Sequence, residues 1–221
     1  LVMNCSPEHA PGQINWLPDR ERRITIPGQP MELELYSPFT IAKELFPYEG
    51  RLMYVDPAGG GANGDETVAT VTYFLHGYVF VMEQLAVPGG FDDLIFQQLS
   101  ALALRHMVNK IDVEKNYGNG AFAQMWRPVL LKAYRDAGHS HSCGIEDIHE
   151  TGQKELRIID SLEPIMARHR LVFHEQVWRD DIKQVQRYPI DKRTTYTLSN
   201  QMMKLTRDRG ALVHDDRVDS L

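Results

Sequence analysis

The order of apolar runs predicts an α/β protein in which a mixed β-sheet carries helices on both faces. Three observations lead there. Leu52-Met53-Tyr54-Val55 is a short apolar run that ends on Asp56 and is stopped by Pro57 and Gly59-Gly60-Gly61, as a strand buried on both faces would be. Two β-branched and aromatic runs follow, Thr67 to Leu75 and Tyr78 to Leu85, joined by the tight hairpin signal His76-Gly77. From Asp92 onward, helix-period and strand-period segments alternate. An antiparallel meander followed by helix-linked strands yields a mixed sheet.

Before the meander, Pro7, Pro11, Pro18, Pro27, Pro30, Pro38 and Pro47 crowd the first 48 residues. Proline fixes φ and removes a donor, so residues 1–48 read as an extended linker lying on a neighbour. Within it, Ile24-Thr25-Ile26 and Leu33 to Tyr36 are the pieces able to add an edge strand. The compact domain is expected over residues 49–221.

Beyond the hairpin, Asp92 to Met107 reads as a helix, with Leu94, Ile95, Gln98, Leu99, Leu102 and His106 at helical spacing. Val108 to Glu114 is the next strand. Gly120 to Tyr134 is a second helix, with Phe122, Met125, Trp126, Val129 and Leu130 inward and a kink at Pro128. Cys143 to His149 fits a short strand. Gln153 to His169 is a third helix carrying Leu156, Ile159, Leu162 and Ile165, bent at Pro164. Residues 171–199 read as irregular, and Gln201 to Leu221 as one or two short helices around Gly210.

Composition bounds the function classes. The 221 residues carry a formal net charge of −6, which argues against a general nucleic-acid coat but not against a nuclease whose acids hold metal. Cys5 and Cys143 are too few and too far apart for a disulfide framework, which points to a reducing compartment. No apolar run approaches the roughly 18 residues of a membrane span, so no membrane partner is expected. The chain opens on Leu1-Val2-Met3 and closes on Val218-Asp219-Ser220-Leu221 in mid-pattern, as a fragment of a longer soluble protein would.

The carboxylates carry the chemistry. Val108-Asn109-Lys110-Ile111-Asp112-Val113-Glu114 alternates apolar and acidic residues and, like the first strand, ends on an acid. If the two strands are parallel neighbours, Asp56 and Glu114 emerge at one sheet edge, where α/β proteins place their sites. Hard oxygen ligands in that position suit Mg²⁺ or Mn²⁺. Turn-forming or helix-capping acids are the equally weighted alternative, and Asp112 reads as a paired structural acid. The chain closes with a third cluster, His214-Asp215-Asp216-Arg217-Val218-Asp219, in which Asp219 shares a helical face with both Asp215 and Asp216.

Four stretches in this order carry a resemblance: Tyr54-Val55-Asp56-Pro57-Ala58-Gly59-Gly60-Gly61, Val113 to Gly120, Thr151 to Ile159, and His214 to Asp219. Together, from about Arg51 to the end, the chain resembles the C-terminal nuclease domain of phage terminase large subunits, closest to the short-tailed phages, where the protein is also called DNA maturase B. The resemblance implies an RNase H-like (RuvC-type) fold and an endonuclease with two divalent ions, Mg²⁺ or Mn²⁺, that cuts concatemeric double-stranded DNA. It makes Asp56 and Glu114 the first and second acids, and the third Asp215 or Asp216, a choice the sequence leaves open. It further implies a packaging ATPase domain upstream, a portal protein and small terminase subunit as partners, and the host cytoplasm, transiently at the prohead, as location. No Gly-x-x-x-x-Gly-Lys-Ser/Thr loop is present, so this stretch is not the motor. A Holliday-junction-type resolvase of the same superfamily and a catalytically silent DNA- or portal-docking module are the alternatives.

Other residues have lesser claims. Lys154 and Arg157, one turn apart at the start of the third helix, are candidate DNA-phosphate contacts, as is Lys115 beside Glu114; Arg105 and Lys110 are weaker ones. His214, Asp219 and Asp65 are auxiliary candidates at the metals. His139, His141, Cys143 and His149 fit no common zinc spacing. Trp126 and Met125 read as core rather than as a base-stacking platform.

Overall fold

The computed structural model describes residues 1–58, 66–115 and 120–221. The proline-rich segment does not trail away. After strand β1 (Val2–Met3) it doubles back on itself: β2 (His9–Pro11), β3 (Ile14–Asn15) and β4 (Arg23–Ile24) pair antiparallel with β7 (Leu45–Pro47), β6 (Thr40–Ile41) and β5 (Leu35–Tyr36), respectively. Short paired pieces between prolines are what the residue allows. Ala10, Ile14, Ile26 and Leu35 are buried and fasten this ladder to the rest of the chain. The edge strand is not drawn from Ile24–Ile26 or Leu33–Tyr36, as the apolar pattern suggests, but from β1.

Next come β8 (Gly50–Asp56), β9 (Glu66–Leu75) and β10 (Tyr78–Pro88), the expected meander. His76 and Gly77 both adopt positive φ, 50° and 76°, as a tight hairpin turn demands. Helix α1 (Asp93–His106) begins on Asp92, whose carboxylate accepts from Leu94 N at 2.7 Å. Then follow β11 (Lys110–Glu114), α2 (Ala121–Asp136), β12 (Gly144–Ile148) and α3 (Lys154–Ala167). Helices α2 and α3 run through Pro128 and Pro164. Residues 171–199 are not irregular. They hold β13 (Leu171–His174), α4 (Glu175–Gln184) and α5 (Ile190–Tyr196), and α6 (Leu198–Lys204) begins there. The β13 strand is only four residues long, and α4 carries just three apolar side chains in ten residues, Val177, Trp178 and Ile182, so neither stands out as an apolar run. The chain closes on α7 (Asp216–Asp219).

The main sheet runs β1-β13-β10-β9-β8-β11-β12. Only β9 is antiparallel to its neighbours; every other pairing is parallel. Ala69, Val71 and Tyr73 of β9 pack with α1 and α2 around the fully buried Trp126, whose Nε1 donates to Ser100 Oγ at 2.9 Å. On the opposite face, α3, α4, α6 and α7 enclose Ile158, Val177, Trp178, Leu198 and Val218. Helices on both faces of a mixed sheet are the architecture read from the sequence. Two side chains depart from it: Leu94 and Met125 are exposed, because the buried stripes run through Phe96 and Phe122 instead.

The proline-rich ladder is tied down at one residue above all. Tyr78 Oη donates to Ile14 O at 2.8 Å and accepts from Ile14 N at 3.0 Å, both bonds being buried. Removing that hydroxyl leaves a buried backbone donor and acceptor unpaired, at a cost of about 1–3 kcal/mol. Tyr78→Phe should therefore lower stability by that amount in urea unfolding. Limited proteolysis should then open residues 10–45 well before the sheet.

Candidate metal centre and its counter-cations

Strands β8 and β11 are parallel neighbours with Tyr54 opposite Asp112 and Val55 opposite Val113. The next step along each strand carries Asp56 and Glu114, so the register delivers both carboxylates to the same edge. The Glu114 side chain is buried and that of Asp56 nearly so. Helix α7 supplies a third acid from the far end of the chain. Ligand oxygens of Asp56, Glu114 and Asp219 lie within 4.8 Å of one another, the one such group of three among the described residues. Asp56 Oδ2 and Asp219 Oδ2 are both buried, with the Lys154 ammonium 3.6 and 2.9 Å away.

Three carboxylates at this spacing repel by about 3 kcal/mol per pair even at an effective dielectric of about 20. The ionisation of two of them reflects it. Burial pushes Asp56 well above the usual carboxylate range, the charges of Glu114, Asp219 and Asp216 adding to the shift while Lys154 opposes it. Glu114 is raised by burial and then by Asp219, against Lys154 and Arg157, and it shares a hydrogen bond with Asp56.

Helix α3 answers this charge from its first turn. Lys154 Nζ stands 2.9 Å from Asp219 Oδ2, 3.0 Å from Asp215 Oδ1 and 3.6 Å from Asp56 Oδ2. Burial works against its ammonium, but Asp56, Asp219 and Asp215 overcome that and hold its pKa far above the usual lysine value. One turn on, Arg157 Nη2 is 2.8 Å from Asp219 Oδ1 and 3.9 Å from Glu114 Oε1, while its Nε lies 3.5 Å from Glu150. Lys154 and Arg157 are therefore counter-ions of the acid cluster in this structure, rather than cations facing open solvent.

The donor set fits a hard divalent ion. It consists of carboxylate oxygens alone, two of them are buried, and the adjoining ammonium marks where positive charge is favoured. The third member of the group is Asp219 rather than Asp215 or Asp216. Asp215 precedes α7 and pairs with Lys154; Asp216 Oδ2 is 3.5 Å from Glu66 N. His214 is not among the converging ligands: its ring stacks on Tyr196 at 3.9 Å, and Tyr196 stacks on Tyr188 at 4.0 Å.

Lys115 follows Glu114 and is half-buried, its backbone N donating to Ile148 O at 2.8 Å. Asp65 and the glycine turn at 59–64 lie outside the described residues. Arg105 and Lys110 belong elsewhere, for Arg105 pairs with Glu83 at 2.6 Å and Lys110 with Asp112 and Glu146 at 2.9 and 2.7 Å. The Lys110 contact also makes Asp112 the paired structural acid read from the sequence. Sequence reasoning overlooked Glu150 as a partner of Arg157, and nothing in its local spacing signals that role.

Residues 55–171 match the family described as Terminase Bacteriophage T7, Ribonuclease H-like domain. The large terminase subunit of Enterobacteria phage T3 is 34% identical over 226 residues, covering 100% of this chain and 36% of that protein. The chain thus spans little more than a third of that relative's length. Two structures of the human cytomegalovirus terminase nuclease domain share the fold at 12% identity over 78% of this chain. One has a TM-score of 0.50 and 82% of its own chain covered; the other, soaked with Mn, has a TM-score of 0.52 and 80% covered. The mixed sheet, the acids at the ends of its parallel strands and these matches have one conclusion: the chain belongs to the T7-type terminase family, as its ribonuclease H-like domain.

Proposed function

We propose that this domain is the metal-dependent endonuclease of a packaging terminase, cutting concatemeric double-stranded DNA. The observation that carries the reading is the convergence of Asp56, Glu114 and Asp219 from three distant parts of the chain, their ligand oxygens within 4.8 Å of one another and two of these oxygens buried. Three carboxylates gathered this closely repel one another, and a divalent cation bound by hard oxygen ligands is what relieves that repulsion best. Asp56, Glu114 and Asp219 would hold Mg²⁺ or Mn²⁺, with Asp215 and Asp216 at the periphery. Bound in a pair, such ions activate a water and stabilise the departing 3′ oxygen of a phosphodiester.

The chain's own residues do the rest. The strand ends fix the spacing of Asp56 and Glu114, and burial of Asp219 excludes water that would otherwise screen the site. Lys154 and Arg157 balance the acids before loading. Once cations take over that role, both side chains are in reach of backbone phosphates, and Lys115 extends the basic edge beyond Glu114. An ATPase domain elsewhere in the longer protein, the portal and the small terminase subunit complete the assembly in this reading, in the host cytoplasm and at the prohead. No helix of the described residues is long and apolar enough to cross a membrane.

Plasmid nicking in Mn²⁺ tests the reading. Asp56→Asn should lower cutting by roughly 100-fold or more. It should leave the metal-free melting temperature unchanged or raised, since it removes a buried charge; undiminished cutting would refute the assignment. The third ligand can be separated from its neighbours by calorimetry. Asp219→Asn should abolish measurable Mn²⁺ binding, whereas Asp215→Asn should weaken it by less than about tenfold. Lys154→Met should destabilise the metal-free protein, and saturating Mn²⁺ should then raise its melting temperature by more than it raises that of the wild type. The shift should follow linkage, about 2.7 kcal/mol at a metal concentration 100 times the Kd.

A further inference from the structure

Helix α7 is four residues long, far below the length at which a helix holds its own shape, yet it delivers an acid to the centre of the site. Its neighbourhood offers three acids, Asp215, Asp216 and Asp219, and each residue along a helix turns the side chain by about 100°. Turning the helix by about 40–60° would aim Asp215 or Asp216 at Asp56 and Glu114 instead. Something must set the rotation of this turn, and Lys154 and Arg157 are poorly suited to it. They grip Asp219 from the side where cations would bind, so their hold weakens on loading.

We infer that Arg217 is the positioning residue that selects Asp219. The inference rests on the proposed metal-dependent cleavage. Arg217 lies two residues before Asp219 and so points to nearly the opposite side of α7, away from the metal group. Its fully buried guanidinium takes a two-pronged grip on Glu66 of β9, Nε to Oε2 at 2.9 Å and Nη2 to Oε1 at 3.1 Å, and its Nη1 reaches Asp181 of α4 at 2.8 Å. Both acids are as buried as the arginine. A planar fork held by two fixed carboxylates admits one orientation, which a lysine cannot reproduce.

The backbone of the same turn is held independently. Gln201 Oε1 accepts from both Arg217 N and Val218 N at 3.0 Å, and Gln84 Nε2 donates to Arg217 O at 2.8 Å. On the far side of Glu66, Tyr188 Oη donates to Oε1 at 2.8 Å. The clamp therefore joins β9, α4 and α6 to the one helical turn that bears the third ligand, and it does so without touching the cations' side of the site.

Two variants and one wild-type measurement test this. Arg217→Lys keeps the charge but loses the fork. The triple variant Glu66→Gln/Asp181→Asn/Arg217→Met removes all three charges at nearly constant volume. In each, Mn²⁺ Kd should rise about tenfold and kcat for plasmid cutting should fall about tenfold, with KM for DNA unchanged. A purely structural arginine would lower the melting temperature and leave those constants alone, so a folded variant with wild-type Mn²⁺ affinity and kcat overturns the inference. If neither variant folds, hydrogen exchange on the metal-free wild type decides. The Arg217 and Val218 amides should exchange as slowly as those of β9, and exchange at the rate of open chain refutes the clamp. That measurement needs no metal, so it also separates failure of the clamp from failure of the nuclease reading, which Asp56→Asn tests alone.

Discussion

Negative charge gathered at one end of a sheet is the constraint around which this molecule is built. Asp56, Glu114 and Asp219 converge within 4.8 Å, and Asp215 stands beside them through Lys154. Isolated carboxylates are expensive to remove from water, and neighbouring ones more so. The raised proton affinities of Asp56 and Glu114 record that expense. In the absence of cations, the first turn of α3 meets it with one lysine and one arginine. The same arrangement makes the site receptive: a divalent ion entering it would replace a counter-charge that is already required.

A second buried ionic cluster shows what an acid group looks like when it serves structure. Glu66 and Asp181 flank Arg217, and their remaining capacity is taken up. Glu66 also accepts from Tyr188, and Asp181 from the backbone of Leu198 and from Gln29. Buried ion pairs contribute little net stability but tolerate few geometries. Here that intolerance is useful, because it fixes the rotation of a turn too short to fix itself. The two clusters thus differ in a readable way, the one setting two acids around a fully buried arginine and the other gathering three acids whose ligand oxygens face one another.

The first 48 residues show how a proline-rich stretch can contribute to a fold without regular structure. Between prolines it forms pairs of two or three residues, plants a few apolar side chains, and lends β1 to the sheet edge beside β13. That edge strand comes from Val2–Met3, a stretch too short for any periodic signal. Its pairing depends on β13 being there, and β13 was itself hidden in a segment whose helix, α4, shows a polar face to solvent.

Five strands of the main sheet, β8 to β12, the helices α1 to α3 and the two strand-end acids were legible in the sequence because they arise from local patterns. Apolar alternation and hairpin chemistry report strands, and an acid closing an apolar run reports a strand end. Parallel pairing of β8 with β11 then brings Asp56 to Glu114 with no further information. The third acid of the cluster was not legible. Asp215, Asp216 and Asp219 are chemically alike and lie within five residues, so local pattern cannot rank them. The tertiary structure ranks them through Arg217, whose partners Glu66 and Asp181 stand 151 and 36 residues away. Likewise, Lys154 and Arg157 were recognisable as cations near the site, but only packing decides that they face carboxylates. Contacts between residues far apart in the chain leave no local trace, and those contacts select which of several equivalent acids completes the centre.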